Sequence, residues 1–179
     1  MQPFGPVLTG WHPIGNVTLS LDRLHPLSDA LPNSLMVTIP AGATGEVGFM
    51  NTGWWGMDVS PGHYNVSFYV NAVNNTYMTK ATTFTASLRS NLTGETFASS
   101  QIGPVQIDTF RYSELNTTIS NKASAPNGNN TFAITFDAAE VGGQTFYFSL
   151  LSLFPETFKG ESWPMPPSCQ VAPMACAKI

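Results

Sequence analysis

The chain has 179 residues, 11 acidic and 7 basic side chains and a net charge of −4, and only 10% of its residues are charged, against roughly 25% in an ordinary soluble domain. Seven scattered cations argue against nucleic acid as a partner, and no apolar run approaches the ~18 residues of a membrane span. Twelve Phe and an aromatic content of 12% rule out a disordered chain and suffice for one sizeable core.

Solubility falls instead to uncharged groups, 35 Ser plus Thr and 13 Asn. Six Asn-x-Ser/Thr sequons occur, at Asn16, Asn65, Asn74, Asn91, Asn116 and Asn129. A chain this rich in Asn, Ser and Thr also makes such triplets by chance, but with the low charge they point to an extracellular β-protein. The N-terminus, Met1-Gln2-Pro3-Phe4-Gly5, has neither a basic region nor a long apolar one and does not read as a signal peptide.

Period-2 alternation runs along the chain. Val17, Leu19 and Leu21 alternate with Thr18 and Ser20, and Leu35, Val37 and Ile39 with Met36 and Thr38. Tyr64, Val66, Phe68 and Val70 follow, then Phe84, Ala86 and Leu88, then Phe132, Ile134 and Phe136. Each predicts a half-buried strand with one solvated face. Thr145 to Phe154 is apolar on both faces, as a central strand would be. Pro40-Ala41-Gly42, Ser60-Pro61-Gly62, Thr93-Gly94, Pro126-Asn127-Gly128 and Gly142-Gly143 supply turns between them. No segment predicts a helix longer than two turns. The pattern predicts an all-β fold, an antiparallel β-sandwich or jelly roll. The final stretch, 161–179, holds four prolines and both cysteines, Cys169 and Cys176. It predicts an irregular tail after a domain spanning 6–160.

The chemistry-bearing signals are few. Asp22, Asp29, Glu46, Asp58 and Glu95 lie near turns and are expected to be solvated. His12, His25 and His63 are far apart, and no His-x-x-x-His or Cys-x-x-Cys pair occurs, so no metal cluster is visible in the sequence. No Gly-x-Ser-x-Gly elbow or phosphate-binding loop is present. The most informative stretch is Asn51-Thr52-Gly53-Trp54-Trp55-Gly56-Met57-Asp58-Val59. Two adjacent Trp between glycines form a loop or the start of a strand; in a strand they would face opposite sides, one core and one exposed. An exposed indole can stack on the C–H face of a sugar while Asn51 and Asp58 orient its hydroxyls. The competing expectation is that both Trp plug the open end of the sandwich. Tyr69 and Tyr112 are expected to project from strands and to line the same face as the tryptophans.

These segments also carry a resemblance. Leu8-Thr9-Gly10-Trp11, Pro40-Ala41-Gly42-Ala43-Thr44-Gly45, Gly53-Trp54-Trp55-Gly56-Met57-Asp58-Val59, the run Ala86 to Ser99, Phe136-Asp137-Ala138-Ala139 and Ser152 to Gly160 occur in order. Together they resemble the β-sandwich domain that precedes the catalytic barrel in fungal family 51 α-L-arabinofuranosidases. The resemblance implies a galactose-binding-domain-like jelly roll, similar to carbohydrate-binding modules. It implies as partner an arabinose-containing polysaccharide, arabinoxylan or arabinan, and an extracellular setting. It implies no cofactor but admits a structural calcium, for which Asp137 is an acid near a strand end. The resemblance ends after Gly160, and the family's two catalytic glutamates map onto no residue here. The expectation is therefore an accessory binding domain and no enzyme. The alternatives are a non-binding remnant that braces a barrel, and the arabinofuranosidase activity that homology alone would assign.

Overall fold

The computed structural model describes residues 8–73 and 79–156. Ten strands and one short helix follow one another: β1 (Trp11–Ile14), β2 (Thr18–Asp22), β3 (Ser34–Thr38), β4 (Glu46–Asn51), β5 (Gly62–Val73), β6 (Thr82–Ser90), β7 (Thr96–Val105), β8 (Ser113–Asn121), β9 (Asn130–Asp137), α1 (Ala138–Val141) and β10 (Thr145–Pro155). They build two five-stranded sheets, ordered β1-β4-β9-β6-β7 and β2-β3-β10-β5-β8. Every pairing between these strands is antiparallel. The fold is an all-β, antiparallel sandwich.

The alternation explains the layers. Leu35 and Val37 of β3, Val66, Phe68 and Val70 of β5, and Phe146 and Phe148 of β10 are buried from the second sheet. From the first sheet come Val47 and Phe49, then Phe84, Ala86 and Leu88, then Ile134 and Phe136. Phe84 sits at the centre, 5.7–6.3 Å from the rings of Phe68, Phe136, Phe146 and Phe148, and Phe49 meets Phe148 at 4.8 Å. Edge-to-face geometry adds to the area each ring removes from water. The core thus locks the two sheets together ring by ring.

The apolar run Thr145 to Phe154 is the central strand of its sheet, as its composition predicts. Its ladder with β5 is broken by a bulge between Ser149 and Ser152, where Leu150 has φ +49°. Four strands carry no clean sequence pattern. β1 is an edge strand holding Pro13, which an edge tolerates because no ladder donor is needed there. β4 is interrupted by Gly48, where a Cβ would lie 2.1 Å from the Ile134 carbonyl oxygen. β7 and β8 are edges whose exposed faces blur the alternation.

Two expectations about acids change. Asp22 is buried, because its Oδ2 accepts hydrogen bonds from the amides of Leu24 and His25 and so caps the turn after β2. Glu46 is exposed but not free. It pairs with Arg89, whose Nη1 donates to Glu46 Oε2 at 3.0 Å, and Thr135 Oγ1 donates to Glu46 Oε1 at 2.8 Å. These bonds, Arg89 foremost, hold the Glu46 carboxyl below the usual carboxylate range. The expected tail at 161–179, with Cys169 and Cys176, lies outside the described residues, as does Asn74.

Candidate carbohydrate-binding site

The tryptophan loop leaves β4 at Asn51. Asn51 Oδ1 accepts from the Gly53 amide at 2.8 Å, and the Thr52 amide donates to the Gly10 carbonyl at 3.0 Å. The chain then turns through Gly53 (φ +66°) and Gly56 (φ +92°). At Gly56 it passes so close to the 127–130 loop that a Cβ would lie 2.3 Å from the Gly128 carbonyl oxygen. Only glycine fits there, on sterics and on backbone angle alike. The Met57 amide donates to that same Gly128 carbonyl at 2.7 Å. Beneath, the buried Asn130 Nδ2 donates to Met57 O at 2.9 Å and to Asn127 O at 2.5 Å.

The result is a turn tied down by hydrogen bonds, with both indoles outward. Trp54 is 72% exposed and Trp55 93%. Neither expected arrangement of the pair, one buried and one exposed or both plugging the sandwich, is the one found. The residues are in a turn rather than a strand, so the two-sided geometry does not apply. Trp54 borders an open cleft of about 320 Å³ with His12, Met50, Thr52, Asn91 and Asn129. Across it the 90–94 turn is tied to the 127–130 loop: the Asn91 amide donates to Asn129 O, and Asn91 Nδ2 to Asn129 Oδ1, both at 2.9 Å. The cleft therefore offers one apolar ring, two side-chain amides and a ring nitrogen. No Asp or Glu lines it.

The other expected residues are distributed differently. Asn51 shapes the turn from below. Asp58, exposed, accepts from Ser60 Oγ at 3.4 Å at the far end of the loop. Tyr69 and Tyr112 do not share the tryptophan surface. Tyr69 projects from β5 in the second sheet, its hydroxyl donating to Glu114 Oε2 at 3.0 Å, which raises its pKa. Tyr112 precedes β8, and its hydroxyl contacts Ser34 Oγ and donates to the His25 carbonyl at 2.6 Å; burial raises its pKa. Around it the His25 ring lies 4.2 Å from that of Tyr147. That face also buries Asn71 Oδ1 and Ser149 Oγ with no hydrogen-bond partner among the described residues. Both tyrosine hydroxyls are engaged, whereas the Trp54 cleft is open.

Reading the sequence missed His12, Met50 and Thr52 as cleft residues, and took Asn91 and Asn129 only as sequons. Nothing in their local pattern signals the cleft, which depends on β1 pairing with β4 and on two turns meeting. Among the described residues no group of three or more His, Cys, Asp or Glu is placed to hold a metal ion. Asp137 is committed to capping α1, its Oδ1 accepting from the Ala139 amide at 2.9 Å.

A relative from Aspergillus flavus, a probable α-L-arabinofuranosidase A, is 33% identical over 162 residues, covering 90% of this chain and 24% of the relative. A solved arabinose-bound family 51 α-L-arabinofuranosidase superposes with a TM-score of 0.76 and 37% identity, over 85% of this chain and 24% of that one. The chain is a homologue of the fungal family 51 α-L-arabinofuranosidases over a single β-sandwich domain. It spans about a quarter of the length of those relatives. The domain also has the fold of a xylan-binding family 22 module from Paenibacillus barcinonensis, with a TM-score of 0.57 and 14% identity over 84% of this chain and 88% of that one. No family model matches the sequence. Among the described residues no helix is long and apolar enough to cross a membrane.

Proposed function

We propose that this arabinofuranosidase-type domain is an extracellular, non-catalytic binder of arabinose-containing plant cell-wall polysaccharide. The observation that carries the reading is the exposure of Trp54 beside an open cleft walled by Asn91 and Asn129. A large solvent-facing indole, on a turn tied down by the Met57 and Asn130 hydrogen bonds, presents its face to a ligand. It stacks on the C–H face of a furanose or pyranose ring, and the amides take the hydroxyls. Trp55, outside the cleft, extends the platform to a neighbouring sugar. Such shallow, wet contacts give affinities of roughly micromolar to millimolar, about −8 to −4 kcal/mol. Hydrolysis needs two carboxyl groups facing across the sugar, and the cleft lining holds none. The similarity to α-L-arabinofuranosidases, and the fold shared with a xylan-binding family 22 module, support a hemicellulose ligand.

The same exposed indoles favour one second reading. In relatives about four times as long, they could bury against a neighbouring module, and the isolated domain would bind nothing. Affinity electrophoresis through arabinoxylan separates the two. Retardation supports the binding reading, and migration unchanged on arabinoxylan, arabinan and xylan supports the brace.

A further inference from the structure

Two of the six sequon asparagines, Asn91 and Asn129, line the Trp54 cleft. Their arrangement is asymmetric. Asn91 spends its Nδ2, the atom an N-glycan attaches to, on Asn129 Oδ1. That bond holds the Asn129 side chain through its oxygen, and Asn129 Nδ2 donates no hydrogen bond among the described residues. Asn129 is itself exposed, in a turn whose geometry is set by its amide donating to Asn127 Oδ1 at 2.9 Å.

We infer that an N-linked glycan on Asn129 occupies the Trp54 cleft, so that polysaccharide binding is confined to the secreted chains left unmodified at Asn129. The gating half rests on the binding function proposed above; the occupancy half does not. The step is a glycosyl transfer from a lipid-diphosphate-linked oligosaccharide of the secretory pathway. The bond from sugar C1 to Nδ2 forms, the bond from C1 to the diphosphate oxygen breaks, the lipid diphosphate leaves with the electron pair, and Nδ2 gives up one proton. The product keeps Oδ1 as an acceptor, so the Asn91 bond survives and holds the attached sugar at the cleft wall. There its first ring meets the Trp54 indole by the same C–H stacking that an external sugar would use. Asn65 and Asn116 provide the contrast. They are exposed on β5 and β8 of the other sheet, and glycans there do not reach the cleft.

The test compares three preparations of the chain. One is made in bacteria, one is secreted from a glycosylating fungal host, and the third is the secreted Thr131→Val variant, which removes the sequon and leaves the Asn129 side chain in place. The peptide containing residue 129 is weighed by mass spectrometry, tryptophan quenching by acrylamide is measured, and retention on arabinoxylan is compared. The inference expects a fraction of the secreted chain to carry glycan at Asn129, and that fraction to be less quenched and to pass arabinoxylan unretained. Thr131→Val restores both properties; Asn65→Gln and Asn116→Gln restore neither. An unmodified 129 peptide overturns the inference, and so does a modified one with unchanged quenching. If bacterial protein shows no retention, the polysaccharide reading fails while quenching still decides where the glycan lies.

Discussion

Asn130 Nδ2 lies 2.9 Å from the Met57 carbonyl oxygen, and through that one buried amide the strand β9 holds the tryptophan loop in place. The same nitrogen serves Asn127 O, so a single side chain joins the two turns that frame the cleft. Asn130→Ala would strand two carbonyls, at a cost of about 1–3 kcal/mol. For a domain of this size that lowers Tm by roughly 2–4 °C per kcal/mol. Asn130→Asp should cost more, because a carboxylate would face the carbonyls it now replaces as a donor. Thermal unfolding followed by circular dichroism checks both the sign and the order.

Gly56 makes the complementary prediction. Its φ of +92° and the 2.3 Å approach of Gly128 O leave no room for a methyl group. Gly56→Ala should destabilise by about 1–3 kcal/mol and push the two turns apart. Near-ultraviolet circular dichroism should report the change as altered tryptophan signal in a protein that keeps its β-sheet spectrum.

Acid should weaken one tie on the outer face of the first sheet. The Arg89 bonds lower the Glu46 carboxyl in the folded state. A lowered folded value means that the contribution is complete above the ordinary carboxylate pKa and disappears as pH falls through the folded one. The unfolding midpoint should therefore drop as pH falls below the ordinary glutamate pKa of about 4.3, and Arg89→Met should shrink that drop. An equal drop in the variant would show that other groups carry the acid sensitivity.

The core prediction is the largest. Phe84 meets four other phenylalanine rings and is fully buried. Phe84→Ala should cost about 3–5 kcal/mol, read from urea unfolding. Leu92→Ala, at an exposed turn position, should change stability by no more than about 0.5 kcal/mol.

The fold was legible where strands bury one face cleanly. Leu35–Ile39 and Tyr64–Val70 alternate because a single core lies on one side of each; Phe132–Phe136 was expected to have a solvated face, but Thr131, Ala133 and Thr135 are buried too, because β9 lies at the centre of its sheet. It was illegible at β1, β4, β7 and β8, where a proline, a glycine pressed on a neighbouring strand, or an edge position breaks the period. The site was half legible. Paired Trp between glycines marked the loop, but local sequence cannot say that a turn after β6 and another before β9 close over it. Tyr69 and Tyr112 looked equivalent to the tryptophans in the sequence. They belong instead to the other sheet, where their hydroxyls are already bonded.

The central claim is that Trp54 is a sugar platform. Trp54 borders the cleft and Trp55 does not, so the two substitutions should not be equal. The decisive measurement is retardation of unglycosylated wild type, Trp54→Ala and Trp55→Ala in arabinoxylan gels, with thermal unfolding run on each. The account predicts a retarded wild type, loss of retardation in Trp54→Ala, a smaller loss in Trp55→Ala, and unchanged unfolding in both. A wild type that migrates as it does without polysaccharide, or a Trp54→Ala variant retarded as strongly as wild type, would contradict it.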